Sequence, residues 1–205
     1  MSKSIAVKVE KYPDSHHDSY SKTVFGFWLY LISDFMLFAT LFAVYAVLRN
    51  RTFGGPSSHE LFHLPITLFQ TLILLLSTLT IGLAGAAVHR RSRSYSLAFS
   101  WITFVLGAFF LWMEYNELSR LIADGHHWRA NAFLSIFFTL IGTHGFHLLF
   151  GMLWIIVLTI PILFEGVTRH AMRRITCLRM FWQFLNIVWV FIFTIVYLMG
   201  VIVYD

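Results

Sequence analysis

Apolar residues along this chain fall into five stretches of 22 residues or more, at 24–48, 66–88, 97–118, 132–163 and 180–204, separated by polar segments of about 8 to 17 residues. Roughly 20 apolar residues in a helix cross the ~30 Å hydrocarbon core of a bilayer. Within lipid the backbone must satisfy its own donors and acceptors, so only helices and closed barrels span it, and runs of this length choose helices. The pattern therefore predicts an all-α, polytopic membrane protein, a bundle of five transmembrane helices over 24–205 preceded by a polar, mobile tail over 1–23. The fourth stretch exceeds what a span needs, so it is expected to tilt or to stop near residue 160, before Pro161, which cannot donate a helical hydrogen bond.

Composition agrees with the pattern. Hydrophobic residues make up 58% of the chain and charged residues 12%, with a mean hydropathy of +0.72, whereas a soluble domain carries about a quarter charged residues. The net charge of +5 raises the question of nucleic acid. The cations, however, cluster at the ends of apolar stretches and form no stripe, so they act as topology determinants and no nucleic-acid partner is expected. Placed on alternate sides of five spans, 11 of the 15 Lys and Arg residues fall with the N-terminus and 4 (Arg49, Arg51, Arg120, Arg129) on the opposite side. This puts the N-terminus in the cytoplasm and the C-terminus outside. Trp28, Trp101 and Trp182 then lie toward cytoplasmic span ends and Trp112 and Trp128 toward outer ends, the positions of interfacial anchors. Gly82, Gly85, Ala86, Gly142, Gly145 and Gly151 offer small surfaces for close helix approach. No cleavable signal peptide is expected, because the first 23 residues are polar and the first apolar run is too long for a signal core.

Ionisable and amide side chains inside spans are costly, which makes them the candidates for chemistry. They are Asp34 in span one, Glu114 and Glu117 in span three, His144 and His147 in span four, and Gln183 and Asn186 in span five. Asp34 lies about 15 Å deep, where an unpaired carboxylate is expensive, so it needs a partner or handles protons. The Glu114/Glu117 and His144/His147 pairs are each spaced i, i+3 and share a helix face. Two carboxylates facing two imidazoles would sketch a di-metal site, but the Glu-x-x-His repeat of di-iron bundles is absent. Glu117 and His147 also differ by roughly 10 Å in depth, so interhelical hydrogen bonding is expected and no metal ligand is assigned. The single cysteine, Cys177, excludes an intrachain disulfide and a paired-thiolate centre. The adjacent His16 and His17 are read as solvated, and His126 and His127 do not complete the histidine boxes of membrane desaturases. No glycine-rich phosphate loop or nucleophile elbow occurs, so no catalytic residue is assigned. An independent ion transporter using Asp34, Glu114, His144 and His147 is the competing class.

Stretches in spans one, three, four and five resemble one family. Phe25-Gly26-Phe27-Trp28-Leu29-Tyr30-Leu31-Ile32-Ser33-Asp34 is similar to the opening span of the five-helix form of haem-copper oxidase subunit III, where a Ser-Asp or Ser-Glu pair precedes an apolar run. Gly142-Thr143-His144-Gly145-Phe146-His147, followed by Gly151, resembles the family's Gly-Thr-His-Gly-x-His stretch, and Glu114-Tyr115-Asn116-Glu117 falls at its Glu-x-x-Glu. Phe181-Trp182-Gln183-Phe184-Leu185-Asn186-Ile187-Val188-Trp189 resembles Phe-Trp-His-Phe-x-Asp-x-Val-Trp, with Gln183 and Asn186 replacing the usual histidine and aspartate. Both replacements keep hydrogen bonding and discard ionisation. The Tyr197-Leu198-Met199-Gly200 ending and the five-span form are most similar to the cytochrome o ubiquinol oxidase branch.

The resemblance implies a non-catalytic subunit in the bacterial inner membrane, part of a respiratory complex that oxidises quinol, reduces oxygen to water and moves protons outward. It implies haem and copper in a partner subunit I and no cofactor in this chain. It also implies subunit II and a small subunit IV as further partners, ubiquinol bound by the complex, and bound phospholipid. A subunit III of a cytochrome c oxidase is the alternative within the family, since subunit II decides the electron donor.

Overall fold

The computed structural model describes residues 15–49, 64–166 and 168–202. Among the described residues there are five long helices: α1 Ser15–Leu48, α2 Leu64–His89, α3 Arg93–Ala123, α4 Ala132–Glu165 and α5 Arg169–Ile192. The last continues through a π-helical stretch, Phe193–Leu198, into a short α-helical end, Met199–Ile202. Five segments among the described residues are long and apolar enough to cross a membrane: Ser21–Leu48, Leu64–His89, Arg93–Ala123, Ala132–Phe164 and Ala171–Leu198. No strand occurs among the described residues.

The helices outrun the apolar stretches because their ends are set by caps and turns and not by hydropathy. The Asn131 side chain accepts from the Leu134 N–H at 2.7 Å to start α4, and Thr168 accepts from the Ala171 N–H at 3.2 Å to start α5. The turn from α2 to α3 is tight, with Arg91 in the left-handed region at φ 54°. Helix α1 begins at Ser15, so residues 15–23, expected to belong to a mobile tail, extend it as helix, while residues 1–14 lie outside the described residues. Once a helix is nucleated, each added residue closes another hydrogen bond, and propagation beyond the apolar run follows. The backbone at His16 and His17 is part of this helix.

Helix α4 does not stop before Pro161 but runs through it to Glu165. Proline there removes only the donor that would reach the Val157 carbonyl, one turn from the helix end, and membrane helices tolerate such a loss.

The bundle is built around α5, which packs against α1, α2 and α4, while α2 pairs closely with α3 and α3 with α4. Helix α1 is peripheral: among the described residues its substantial packing is on α4 and α5. Its apolar window is 22% buried against 56% for α5.

Trp182 is where the fold departs most from the expected anchoring pattern. Trp28, Trp101, Trp112 and Trp128 are exposed on the outside of the bundle, but Trp182 is fully buried and its indole N–H donates to Ser77 Oγ at 2.9 Å. It fits because two glycines vacate the space. A Cβ on Gly107 would lie 3.0 Å from the Trp182 ring, and one on Gly151 3.2 Å from it. Of the glycines expected to mediate close approach, Gly85, Gly145 and Gly151 do so, against Arg179, Leu111 and Glu114, and the aromatic rings of α5 respectively. Gly82 and Gly142 face open space, and Ala86 is exposed.

Candidate functional site

The polar residues of the membrane interior separate into three places, each a junction between helices. At the first, α1 meets α4. The Nε2 of His147 lies 3.3 Å from Asp34 Oδ1, and Tyr30 donates its hydroxyl to Asp34 Oδ2 at 3.3 Å. Nδ1 of His147 is 2.7 Å from the Thr143 carbonyl one turn back on its own helix. A carbonyl can only accept, so Nδ1 carries a hydrogen. Nε2 then either accepts a proton from the Asp34 carboxyl or donates one to the carboxylate. Both arrangements hold a single proton between the two groups and leave the pair without net charge, which lets it persist inside a membrane. The side chains are 15% and 10% exposed, so the pair is shielded from lipid without being sealed.

At the second junction, α4 meets α5. His144 is fully buried, with Nε2 3.3 Å from the Leu185 carbonyl and its ring against Trp189 and Phe110 at centroid distances of 5.1 and 5.9 Å. The carbonyl again fixes the hydrogen on Nε2, leaving Nδ1 as a buried acceptor with no partner among the described residues. His144 and His147, three residues apart, therefore serve different neighbours: one crosslinks to α5 and the other to α1.

The third junction lies toward the end of α3. Glu117 Oε2 accepts from Gln70 Nε2 of α2 at 3.4 Å, and the Tyr197 hydroxyl also bonds to Glu117. Tyr197 sits in the π-helical stretch, where widening of the turn displaces side chains from their α-helical directions. The same stretch presents the Val196 carbonyl to the Tyr45 hydroxyl of α1 at 3.5 Å. Glu114 is 3% exposed, and neither carboxyl oxygen has a partner among the described residues; a Cβ on Gly145 would stand 3.8 Å from it.

The glutamates and histidines thus face each other across α3 and α4 without converging. Among the described residues no group of three His, Cys, Asp or Glu side chains could hold a metal ion. With Nε2 of His144 on the Leu185 carbonyl and both nitrogens of His147 engaged, these two imidazoles are turned to different neighbours and do not pair as ligands of one metal ion. The amides of α5 diverge as well. Asn186 is buried with Oδ1 lacking a partner among the described residues, whereas Gln183 is exposed on the outside of the bundle. Cys177 is buried.

Several members of these junctions escaped the sequence reading. Tyr30 and Tyr197 stand in the sequence only as members of family-like stretches, and Gln70, Tyr45 and the hydroxyls of α2 only as residues of apolar spans. A signal existed: Thr67, Gln70, Thr71, Ser77 and Thr80 recur at helical spacing along one face of α2, and all five are buried. That face bonds Trp182 through Ser77, Trp189 through Thr71 at 3.1 Å, and Thr103 through Thr80 at 2.7 Å.

Residues 7–201 match the family model described as cytochrome c oxidase subunit III. The chain is 50% identical to cytochrome bo(3) ubiquinol oxidase subunit 3 of Pseudomonas aeruginosa, over 91% of this chain and 90% of that protein. It is 42% identical to cytochrome c oxidase subunit 3 of Bacillus sp. strain PS3, over 86% of each, and 40% identical to quinol oxidase subunit 3 of Bacillus subtilis, over 86% of this chain and 87% of that one. A family match along nearly the whole chain, joined to five membrane-length helices, establishes that this chain belongs to the cytochrome c oxidase subunit III family.

Proposed function

We propose that this chain is subunit III of a respiratory quinol oxidase of the cytochrome bo(3) type, a membrane subunit that stabilises the complex without carrying its chemistry. The observation that carries this reading is the 50% identity to the Pseudomonas aeruginosa ubiquinol oxidase subunit over nine-tenths of both chains. In this reading haem and copper belong to subunit I, the partners are subunits I and II and a small subunit IV, and ubiquinol is bound by the complex. The chain lies in the bacterial inner membrane with its N-terminus cytoplasmic and C-terminus periplasmic, supported by the 11-to-4 division of cations.

An assembly role is supported by the exposed apolar flank of α1, where Phe25, Trp28, Leu29, Ile32, Phe35 and Met36 face outward. Bound phospholipid is supported on the α4 side of α1, where Phe27, Tyr30, Phe150, Leu153, Trp154 and Val157 line an apolar groove. It adjoins a second hollow bearing Arg173 and Arg174 at the end assigned to the cytoplasm. The identity to the Bacillus PS3 protein favours a cytochrome c oxidase subunit III as the second reading.

The test is purification of the tagged chain from native membranes in mild detergent, followed by a haem spectrum and oxygen-uptake assays with quinol and with cytochrome c. Co-purification of a haem-bearing subunit with quinol-dependent uptake is the expected result. Uptake driven by cytochrome c alone would select the second reading, and a haem-free chain would remove both.

A further inference from the structure

On the other side of α1, between it and α5, a groove of about 330 Å³ is lined chiefly by Trp28, Leu31, Phe35, Gln183, Phe184 and Ile187. We propose that this groove seats one transmembrane helix of another subunit, with Gln183 as its hydrogen-bond anchor; the proposal rests on the reading of the chain as part of a multisubunit oxidase.

Depth is the first argument. Gln183 lies 12 residues beyond Ala171 in a span that ends at Leu198, or about 18 Å along a helix about 42 Å long. Its neighbour Trp182 bonds Ser77, midway along the Leu64–His89 span, which supports reading this depth as the hydrocarbon interior. The Gln183 amide is exposed and has no hydrogen-bond partner among the described residues. An amide without a partner in hydrocarbon costs several kcal/mol, and an acyl chain has nothing with which to satisfy it. A lipid tail in this groove would leave Gln183 stranded, whereas a helix bearing a hydroxyl or amide side chain at that depth would satisfy it.

The contrast between the two flanks of α1 is the second argument. The groove on the α4 side has no amide on its wall and adjoins the Arg173 and Arg174 hollow, a combination suited to a lipid tail beneath a phosphate headgroup. The groove on the α5 side places an amide among apolar side chains in mid-span and no cation lines it. The occupant expected here is therefore an apolar helix with one polar side chain facing Gln183.

The experiment uses the intact complex, with a photoreactive benzoyl-phenylalanine at Phe35 and, separately, at Leu153 in the other groove. Illumination in native membranes is followed by purification and mass spectrometry of the adducts. At Phe35 the expected product is a covalent bond to a transmembrane segment of a subunit that co-purifies with haem; at Leu153 it is a lipid adduct. Gln183→Leu should lower the Phe35 polypeptide adduct roughly fivefold, the change that corresponds to one interhelical hydrogen bond of ~1 kcal/mol, and Gln183→Asn should lower it less. Only lipid or quinone adducts at Phe35, with haem still co-purifying, would overturn the docking site and leave the subunit reading intact. An adduct unaffected by Gln183→Leu would overturn the anchor. A chain that purifies without haem would overturn the subunit reading, and this proposal with it.

Discussion

Asp34 and His147 lie 113 residues apart in sequence and 3.3 Å apart in space, and together they solve the problem that each poses alone. Removing either strands the other in the membrane. Asp34→Ala and His147→Ala should each destabilise the folded chain by roughly 1–3 kcal/mol, with the double variant no worse than the poorer single one. Detergent-unfolding titrations in a double-mutant cycle would read this, and fully additive losses would mean that the pair is not coupled. Asp34→Asn should be milder, because the amide can still donate to Nε2 of the imidazole. Trp182 makes a comparable case in an apolar setting. Trp182→Ala should cost about 3–5 kcal/mol through the cavity left among α2, α3, α4 and α5, while Trp182→Phe, which loses the bond to Ser77 and part of the ring packing, should cost less, roughly 1–3 kcal/mol. Near-equal midpoints for the two variants would refute the packing role.

At the scale of the helices, the glycines sort by what stands opposite them. A Cβ on Gly107 would press on the buried Trp182 ring at 3.0 Å, and that ring has no room to retreat. Gly107→Leu should therefore force α3 from its place and reduce the yield of monodisperse chain on gel filtration in detergent. Gly142 meets nothing within 4 Å, so Gly142→Ala should be neutral or should stabilise the helix by up to ~1 kcal/mol. If Gly107→Leu ran like the unmodified chain, the contact between α3 and α5 would be looser than its geometry requires. Elements of this kind were only half legible beforehand. A glycine in an apolar span announces that something comes close, but not what, and Gly82 and Gly142 carry the same letter as Gly151 with nothing packed on them.

For the whole molecule, the cation asymmetry makes a prediction about sidedness. A reporter that is active only outside the cytoplasm should be active when fused after Asp124, in the turn between α3 and α4, and silent when fused after Arg91, in the turn between α2 and α3. The reverse pattern would invert the chain in the membrane. Sidedness also fixes which end of the α1 and α4 groove meets the cytoplasmic leaflet, and so where Arg173 and Arg174 could meet a headgroup.

The sequence by itself determined the helical class, the five spans and the rule that every intramembrane polar group needs an answer, because each follows from local quantities: run length, cation placement and the cost of burying charge. Tertiary structure decided which groups answer one another. The i, i+3 spacing places His144 and His147 on one face of an isolated helix, yet α4 lies between α1 and α5, so a rotation of three residues is enough to hand each imidazole to a different neighbour. Trp182 was assigned to the membrane surface from its position near a span end, and only the vacancies at Gly107 and Gly151 on two other helices brought it inside. Hydropathy along a chain records how deep a residue sits in the bilayer; which way it faces around the helix axis is fixed by what packs against it.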